Sequence, residues 1–189
     1  MFEGKFIEGQ QQTTILEEME GVVSAQSFEA FLQWLYLRKI RFDLSEPEHQ
    51  ISATIELARF ADMCNVTAIE SEVARYLKNV LINHPNPERI NIGITINTYR
   101  LTSQHIISAT FLPEGHAIRR ILAAATVRGY LLCENHRFAQ ETREYPSFGV
   151  DLLHEVGLTL KGMNIAGYGA TWEDPLNGDK SEVQEFRSF

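Results

Sequence analysis

The most regular hydrophobic pattern in the chain lies between Ser24 and Ile40, where apolar residues recur at the spacing of a helix. The apolar positions that share one face are Phe28, Phe31, Leu32, Leu35 and Tyr36. A second apolar stripe beside it holds Ala30, Trp34 and Leu37. Because the polar strip that remains is narrow, the pattern predicts a helix that is buried on nearly all sides. Ser24 is the predicted N-cap of this helix.

Helical periodicity predicts several further helices downstream. Their predicted ranges are 50–65, 67–83, 103–110, 116–133, 136–144 and 146–161. The helix that begins at Thr67 is expected to start with a capping box, in which Glu70 reaches back to the N-cap. Residues 89–101 alternate between apolar and polar positions, which is typical of a strand. Since no second strand of similar quality is available to pair with it, the pattern leaves this segment open between strand and helix.

The two ends of the chain carry weaker patterns. Ile15 and Leu16 are strand-like in content, but an isolated strand leaves its backbone groups unpaired. From Gly162 onward glycine, asparagine and acidic residues prevail, and five acids against two bases give this segment a charge of −3. Such a composition predicts a disordered tail over 162–189. The predicted fold class is mainly α, with helices and at most one short strand.

Composition narrows the range of functions. The chain has 189 residues, a hydrophobic share of 44% and a net charge of −8, as expected of a globular protein that does not bind nucleic acid through its phosphates. The compact basic pairs are Arg38-Lys39 and Arg119-Arg120. No apolar run approaches the roughly 18 residues of a membrane span, and the first residues lack a secretory pattern. With only two cysteines, we expect an intracellular protein, nuclear or cytoplasmic.

The residues that carry chemistry do not form a catalytic pattern. Cys133 and His136 are three apart, but no second pair of ligands at zinc-site spacing accompanies them. Cys64 lies in an apolar helical pattern, with nothing nearby in sequence to activate a thiolate. No glycine-rich loop suited to phosphate follows a predicted strand. We therefore expect neither an enzyme, nor a bound metal, nor a cofactor.

Residues 1–82 resemble the second half of a BTB/POZ domain of the fungal type. The matching stretches are Met1–Glu8, Phe28–Tyr36, Ile55–Ala58 and Ala61–Asp62. Ile15-Leu16 occupies the place of a short family strand, and Leu37 replaces the usual threonine. Residues 83–161 resemble, more loosely, the helical extension that follows the domain, which favours helix over 89–101. The resemblance thus implies a partial BTB/POZ domain (1–82), a helical extension (83–161) and a tail (162–189).

The resemblance also implies sites of contact with partners. Phe6-Ile7-Glu8 fits the hydrophobic-any-Glu pattern that BTB adaptors present to cullin scaffolds, with Phe6 as the anchor and Glu8 at the rim. The alternative is a hydrophobic residue at a helix end followed by a solvated glutamate. Tyr36 and Phe42 lie near the same surface in the family fold, although the helical stripe favours a core position for Tyr36.

Two hypotheses follow from this resemblance. The first is a non-enzymatic protein-protein interaction module, such as a substrate adaptor of a cullin-type ubiquitin ligase, whose partner is a cullin or another BTB protein. The second is a truncated fragment without independent function, or a regulatory competitor of a full-length protein. The family's first half, which carries most of its homodimer interface, has no counterpart here, so homodimerisation is left open.

Overall fold

The structure is a computed structural model that describes residues 22–84, 97–133, 136–166 and 169–183. Its α-helices are α1 (Ala25–Leu37), α2 (Pro47–Met63), α3 (Glu70–Asn83), α4 (Ser103–Ala109), α5 (Ala117–Leu132), α6 (Ala139–Glu144) and α7 (Pro146–Lys161). A 3-10 turn, Thr67–Ile69, precedes α3. Its strands are β1 (Asn164–Ala166), β2 (Gly169–Glu173) and β3 (Lys180–Val183). The mainly helical class predicted from the sequence is confirmed.

The helix α1 begins at its predicted N-cap. The Ser24 hydroxyl accepts the backbone N–H of Ser27 at 3.2 Å, and the Ser27 hydroxyl accepts that of Ser24 at 2.9 Å. The Ser24 hydroxyl also donates to the Glu56 carboxylate at 2.8 Å, which ties the start of α1 to α2. The helix is closed by Arg38, which adopts the left-handed conformation with φ of 54°. The Arg38 backbone N–H donates a hydrogen bond to the Trp34 carbonyl.

The inner side of α1 packs on α2. Phe60 of α2 meets the rings of Phe31 and Phe28 edge-on, with centroids 5.0 and 6.0 Å apart. The core then continues without a break through α3, α4 and α5. Its fully buried side chains include Ile51, Ile55, Leu57, Leu77, Leu81, Leu101, Ile106, Ile118 and Leu122. The helices on both sides of the boundary predicted at residue 83 therefore share one hydrophobic core.

The capping box predicted at Thr67 and Glu70 is wrong. Thr67 opens the 3-10 turn, and no side chain caps the start of α3. The Glu70 carboxylate instead accepts the backbone N–H of Ala117 at 2.7 Å, in the first turn of α5. A carboxylate at a helix N-terminus satisfies an otherwise unpaired N–H and is favoured by the helix dipole. The glutamate therefore joins α3 to α5.

The predicted basic pair Arg119-Arg120 is divided between core and surface. Arg119 is buried, and its guanidinium donates to the Asp151 carboxylate at 2.8 Å, to the Leu112 carbonyl at 3.0 Å and to the Ser147 carbonyl at 3.3 Å. These bonds join α5 to α7 and to the loop after α4. Arg119 thus connects three parts of the fold.

The predicted disorder after residue 162 is wrong for the residues that the structure describes. The strands β1, β2 and β3 form an antiparallel meander in that order. Trp172 and Leu176 are 2% and 1% exposed, so two apolar side chains anchor the hairpin. Asp174 closes the turn between β2 and β3 by accepting the backbone N–H groups of Leu176 and Asn177. Because most residues of the segment are polar or glycine, its composition does not indicate that these few side chains are buried.

Two predictions concern segments that are described only in part. Residues 97–100 form a turn, in which the Leu101 N–H donates a hydrogen bond to the Thr98 carbonyl at 3.1 Å. The helix favoured over 89–101 is therefore wrong at this end. The remainder, 89–96, lies outside the described residues, as does the strand-like pair at 15–16. Arg137 donates to the carbonyls of Thr98 and Tyr99, which ties this turn to the turn that precedes α6.

A buried histidine joins α4 to α2. The Nδ1 atom of His105 lies 3.0 Å from the Thr102 backbone N–H and accepts it, so the ring proton is assigned to Nε2. Nε2 then donates to the Ser52 hydroxyl at 2.9 Å. Burial lowers the pKa of His105 to about 4, although the nearby Glu48 charge opposes this shift. The neutral ring is therefore the form that fits the fold.

The free energy of unfolding is expected to fall as the pH is lowered from 7 to 4. In this range an unfolded histidine, with a pKa near 6.5, binds a proton that folded His105 does not. The loss reaches about 3 kcal/mol at pH 4, at about 1.4 kcal/mol per pKa unit. Urea unfolding at stepped pH measures it. His105→Gln keeps an acceptor for the Thr102 N–H but cannot titrate, so a variant with the wild-type pH profile would contradict this assignment.

Candidate functional site

The four residues predicted to contact partners differ in whether the structure describes them and in how exposed they are. Phe6 and Glu8 lie outside the described residues. Tyr36 is 83% exposed, so the core position favoured for it by the helical stripe is wrong. Phe42 is buried and packs edge-on against Tyr76 with centroids 5.3 Å apart, so its ring belongs to the core and not to a contact surface.

An exposed apolar surface covers the C-terminal end of α1. It consists of Leu32, Leu35, Tyr36 and Leu37, which are 36%, 41%, 83% and 65% exposed, and we call it the α1 patch. Side chains three and four positions apart are neighbours on a helix, so Leu35 and Tyr36 both adjoin Leu32. Trp34, on the opposite side of the helix, is buried. Leu32, Leu35 and Tyr36 therefore form the outer side of a helix whose inner side is already packed, and Leu37 adds exposed apolar area at the last residue of the helix.

Three exposed cations follow the α1 patch directly. Arg38, Lys39 and Arg41 are all exposed, and we call them the basic rim. Along 39–42 the side chains alternate between outside and inside: Ile40 is half-buried and Phe42 is buried. The Arg38 guanidinium lies 4.5 Å from the centre of the Trp34 ring. Within the described part of the chain, no carboxylate forms an ion pair with the rim.

A groove of about 880 Å³ lies between the end of α7, the β-hairpin and Lys78 of α3. Burial raises the pKa of its Asp174 carboxyl, against the opposing effect of hydrogen bonds from the turn. One Asp174 oxygen accepts two backbone N–H groups, and the other lies 3.5 Å from the Asn97 amide. Glu155 in the same groove forms an ion pair with Arg120 at 3.5 Å. These acids hold the hairpin and α5 in place, and their arrangement does not define a catalytic pair.

The cysteines and His136 do not meet in one site. Cys64 is exposed at the end of α2, contrary to the buried position expected from its helical pattern. Local desolvation raises the pKa of its thiol, which disfavours the reactive thiolate. Cys133 is half-buried, and the His136 ring stacks edge-on against Tyr130 at 5.0 Å. Over the described ranges, no three His, Cys, Asp or Glu residues are placed to hold a metal ion.

In the part of the chain described by the structure, none of the helices has both the length and the apolar character needed to cross a membrane. Comparisons with protein-family models, with curated proteins and with solved structures find no match. The BTB/POZ resemblance therefore depends on the quoted residues alone and stays a prediction.

Sequence reasoning missed the α1 patch although a signal for it was present. Leu35, Tyr36 and Leu37 are consecutive, and consecutive residues on a helix point about 100° apart. A helix that packs on one layer cannot bury all three. Since Trp34 faces the core, Leu35 and Tyr36 are carried round the helix toward the solvent, whereas Leu37 returns to the side of Trp34 and is exposed at the last residue of the helix. The run of large apolar residues was therefore itself an indication of an exposed surface.

Proposed function

We propose that this protein is a non-enzymatic protein-binding module and that the α1 patch is its contact surface. The observation that carries the proposal is the exposure of four large apolar side chains at one end of a single helix. A cluster of large exposed apolar side chains is characteristic of a surface that binds a partner.

The make-up of the patch supports a protein partner. Tyr36 is the most exposed of its residues, and tyrosine is enriched at the centres of protein interfaces, since it offers apolar area and a polar hydroxyl at a low cost in conformational entropy. Leu32 and Leu35 flank it on the same side of the helix. A partner that covers this side would remove apolar area from water on a rigid scaffold.

The finer form of the proposal is an adaptor related to BTB/POZ proteins, with a cullin scaffold or another BTB protein as its partner. Its support is the resemblance of residues 1–82, including Phe6 and Glu8. Tyr36, which the resemblance places near the same surface, is accessible. Phe42 is removed from this set because its ring is buried.

The second candidate is a fragment or a competitor of a longer protein. In that longer protein a further structural half would cover the α1 patch. The same exposed patch favours this candidate. The two candidates differ in solution behaviour, because a surface that normally lies in a fold interior promotes association. Light scattering on the full chain separates them: a discrete mass with an ordered near-UV tryptophan signal supports the module, and a polydisperse species without that signal supports the fragment.

Affinity capture from cell extract tests the binding proposal. We expect at least one protein captured by the wild-type chain to be lost with Leu35→Glu or Tyr36→Ala, because both changes alter the α1 patch without touching the core. Phe111→Ala is the matched control, since Phe111 is also an exposed aromatic residue, 66% exposed, but lies elsewhere. A cullin among the lost proteins would support the finer form. Identical captured sets from all four chains, each folded by circular dichroism, would reject the proposal.

A further inference from the structure

We propose that the partner segment bound by the α1 patch is an acidic amphipathic peptide, with apolar residues for the patch and carboxylates for the basic rim. This inference rests on the proposed function and names the chemistry of the partner. The juxtaposition that carries it is an exposed apolar helix end, Leu32 to Leu37, followed at once by the exposed cations Arg38, Lys39 and Arg41.

The basic rim opposes the charge of the protein as a whole. The chain has a net charge of −8, yet three cations occur within four residues here. None of them forms an ion pair with a described carboxylate, including Asp43, the next acidic residue along the chain. A local cationic surface attracts acidic partners and repels the same cationic surface on a second copy of the protein.

The fold fixes the direction of the rim. Ile40 packs against the core and Phe42 is buried in it, and this alternation places Lys39 and Arg41 on the outer side together. Arg38 is held by its left-handed backbone and by its position over Trp34. Cations held in this way meet a carboxylate with less loss of conformational entropy than cations on a free loop. Because the cations lie at one end of the α1 patch, they would determine the direction in which the peptide lies along α1.

Fluorescence anisotropy with designed helical peptides tests the inference on the full chain. Each peptide has leucines at i, i+3, i+4 and i+7, and the other positions are glutamate, glutamine or lysine. We expect the glutamate peptide to bind at least about tenfold more tightly than the lysine peptide, and its binding to weaken at high salt. Lys39→Glu with Arg41→Glu should reverse this order. The control pair, Arg143→Glu with Lys161→Glu, makes the same change in net charge at exposed sites elsewhere and should preserve it.

Each other outcome overturns the inference. Equal binding of the three peptides would mean that only apolar contact matters; the proposed function would stand, since the capture experiment tests it separately. Binding to anionic vesicles in place of the glutamate peptide would assign the surface to membranes. Glutamate-peptide binding only after Glu17, Glu18 and Glu20 are changed to Gln would assign it to the chain's own acidic segment. Absence of binding by any peptide to a folded chain would reject the acidic partner.

Discussion

Arg119→Ala is expected to lower the free energy of unfolding by about 3–5 kcal/mol, because the change leaves the Asp151 carboxylate buried without its cation. The carboxylate lies 2.8 Å from the guanidinium, and the two side chains are only 11% and 7% exposed. The carbonyls of Leu112 and Ser147 also lose their donor. Arg119→Lys should recover little of this loss, because one ammonium group cannot reproduce the planar donor geometry of the guanidinium.

Urea unfolding followed by circular dichroism measures the loss, and Arg75→Ala is its control. Arg75 is also paired with a carboxylate, Glu72, but its side chain is 70% exposed. Exposed pairs of this kind contribute less than about 1 kcal/mol. If the two alanine variants unfold at the same urea concentration, Arg119 does not connect α5 to α7 in the way described.

Phe60→Ala is expected to lower the free energy of unfolding by about 3–5 kcal/mol, the usual cost of removing a buried aromatic ring. Phe60 is 3% exposed and makes the edge-on contacts with Phe28 and Phe31 that hold α1 on α2. Truncation leaves a cavity between the two helices. Thermal and urea unfolding, together with the near-UV signal of Trp34 in α1, would detect the loosening of α1.

Phe111→Ala removes the same number of atoms at an exposed site. The Phe111 ring meets the Arg59 guanidinium at 4.7 Å, and such a contact contributes about 0.5–1 kcal/mol at the surface. A cost for Phe60→Ala no larger than that for Phe111→Ala would show that α1 is not packed on α2 through this ring. The loss of α1 packing would also disturb the α1 patch, so this variant is unsuited to binding experiments.

The helices were predictable because their signals are local. The range of α7 was predicted at both ends, since Pro146 favours the first turn and Gly162 follows the last. The N-cap at Ser24 was correct for the same reason. Capping residues and periodicity act within a few positions of sequence, so they can be recognised without knowledge of the tertiary contacts.

The failures come from interactions that are distant in sequence. Glu70 fits the local motif, but the N–H that it accepts belongs to Ala117, 47 residues away. The tail has the composition of a disordered segment, but Trp172 and Leu176 are buried, and Leu176 belongs to the main hydrophobic core. The α1 patch was missed because periodicity identifies apolar faces without showing which of them a neighbour covers. Among the described residues of the α1 patch, only Tyr36 was named as a contact residue from the sequence, through the BTB/POZ resemblance, and its role as a contact stays a prediction.

Photocrosslinking from position 36 tests the contact surface most directly. A photoreactive phenylalanine analogue replaces Tyr36 in one variant and Phe111 in another, and both are irradiated in the cells that express the chain. The two side chains are comparably accessible, at 83% and 66% exposure, so random collisions affect both. We predict a discrete adduct with another protein from position 36 and none from position 111. Absence of an adduct at 36, or the same adducts from both positions, would contradict the assignment of the α1 patch as the binding surface.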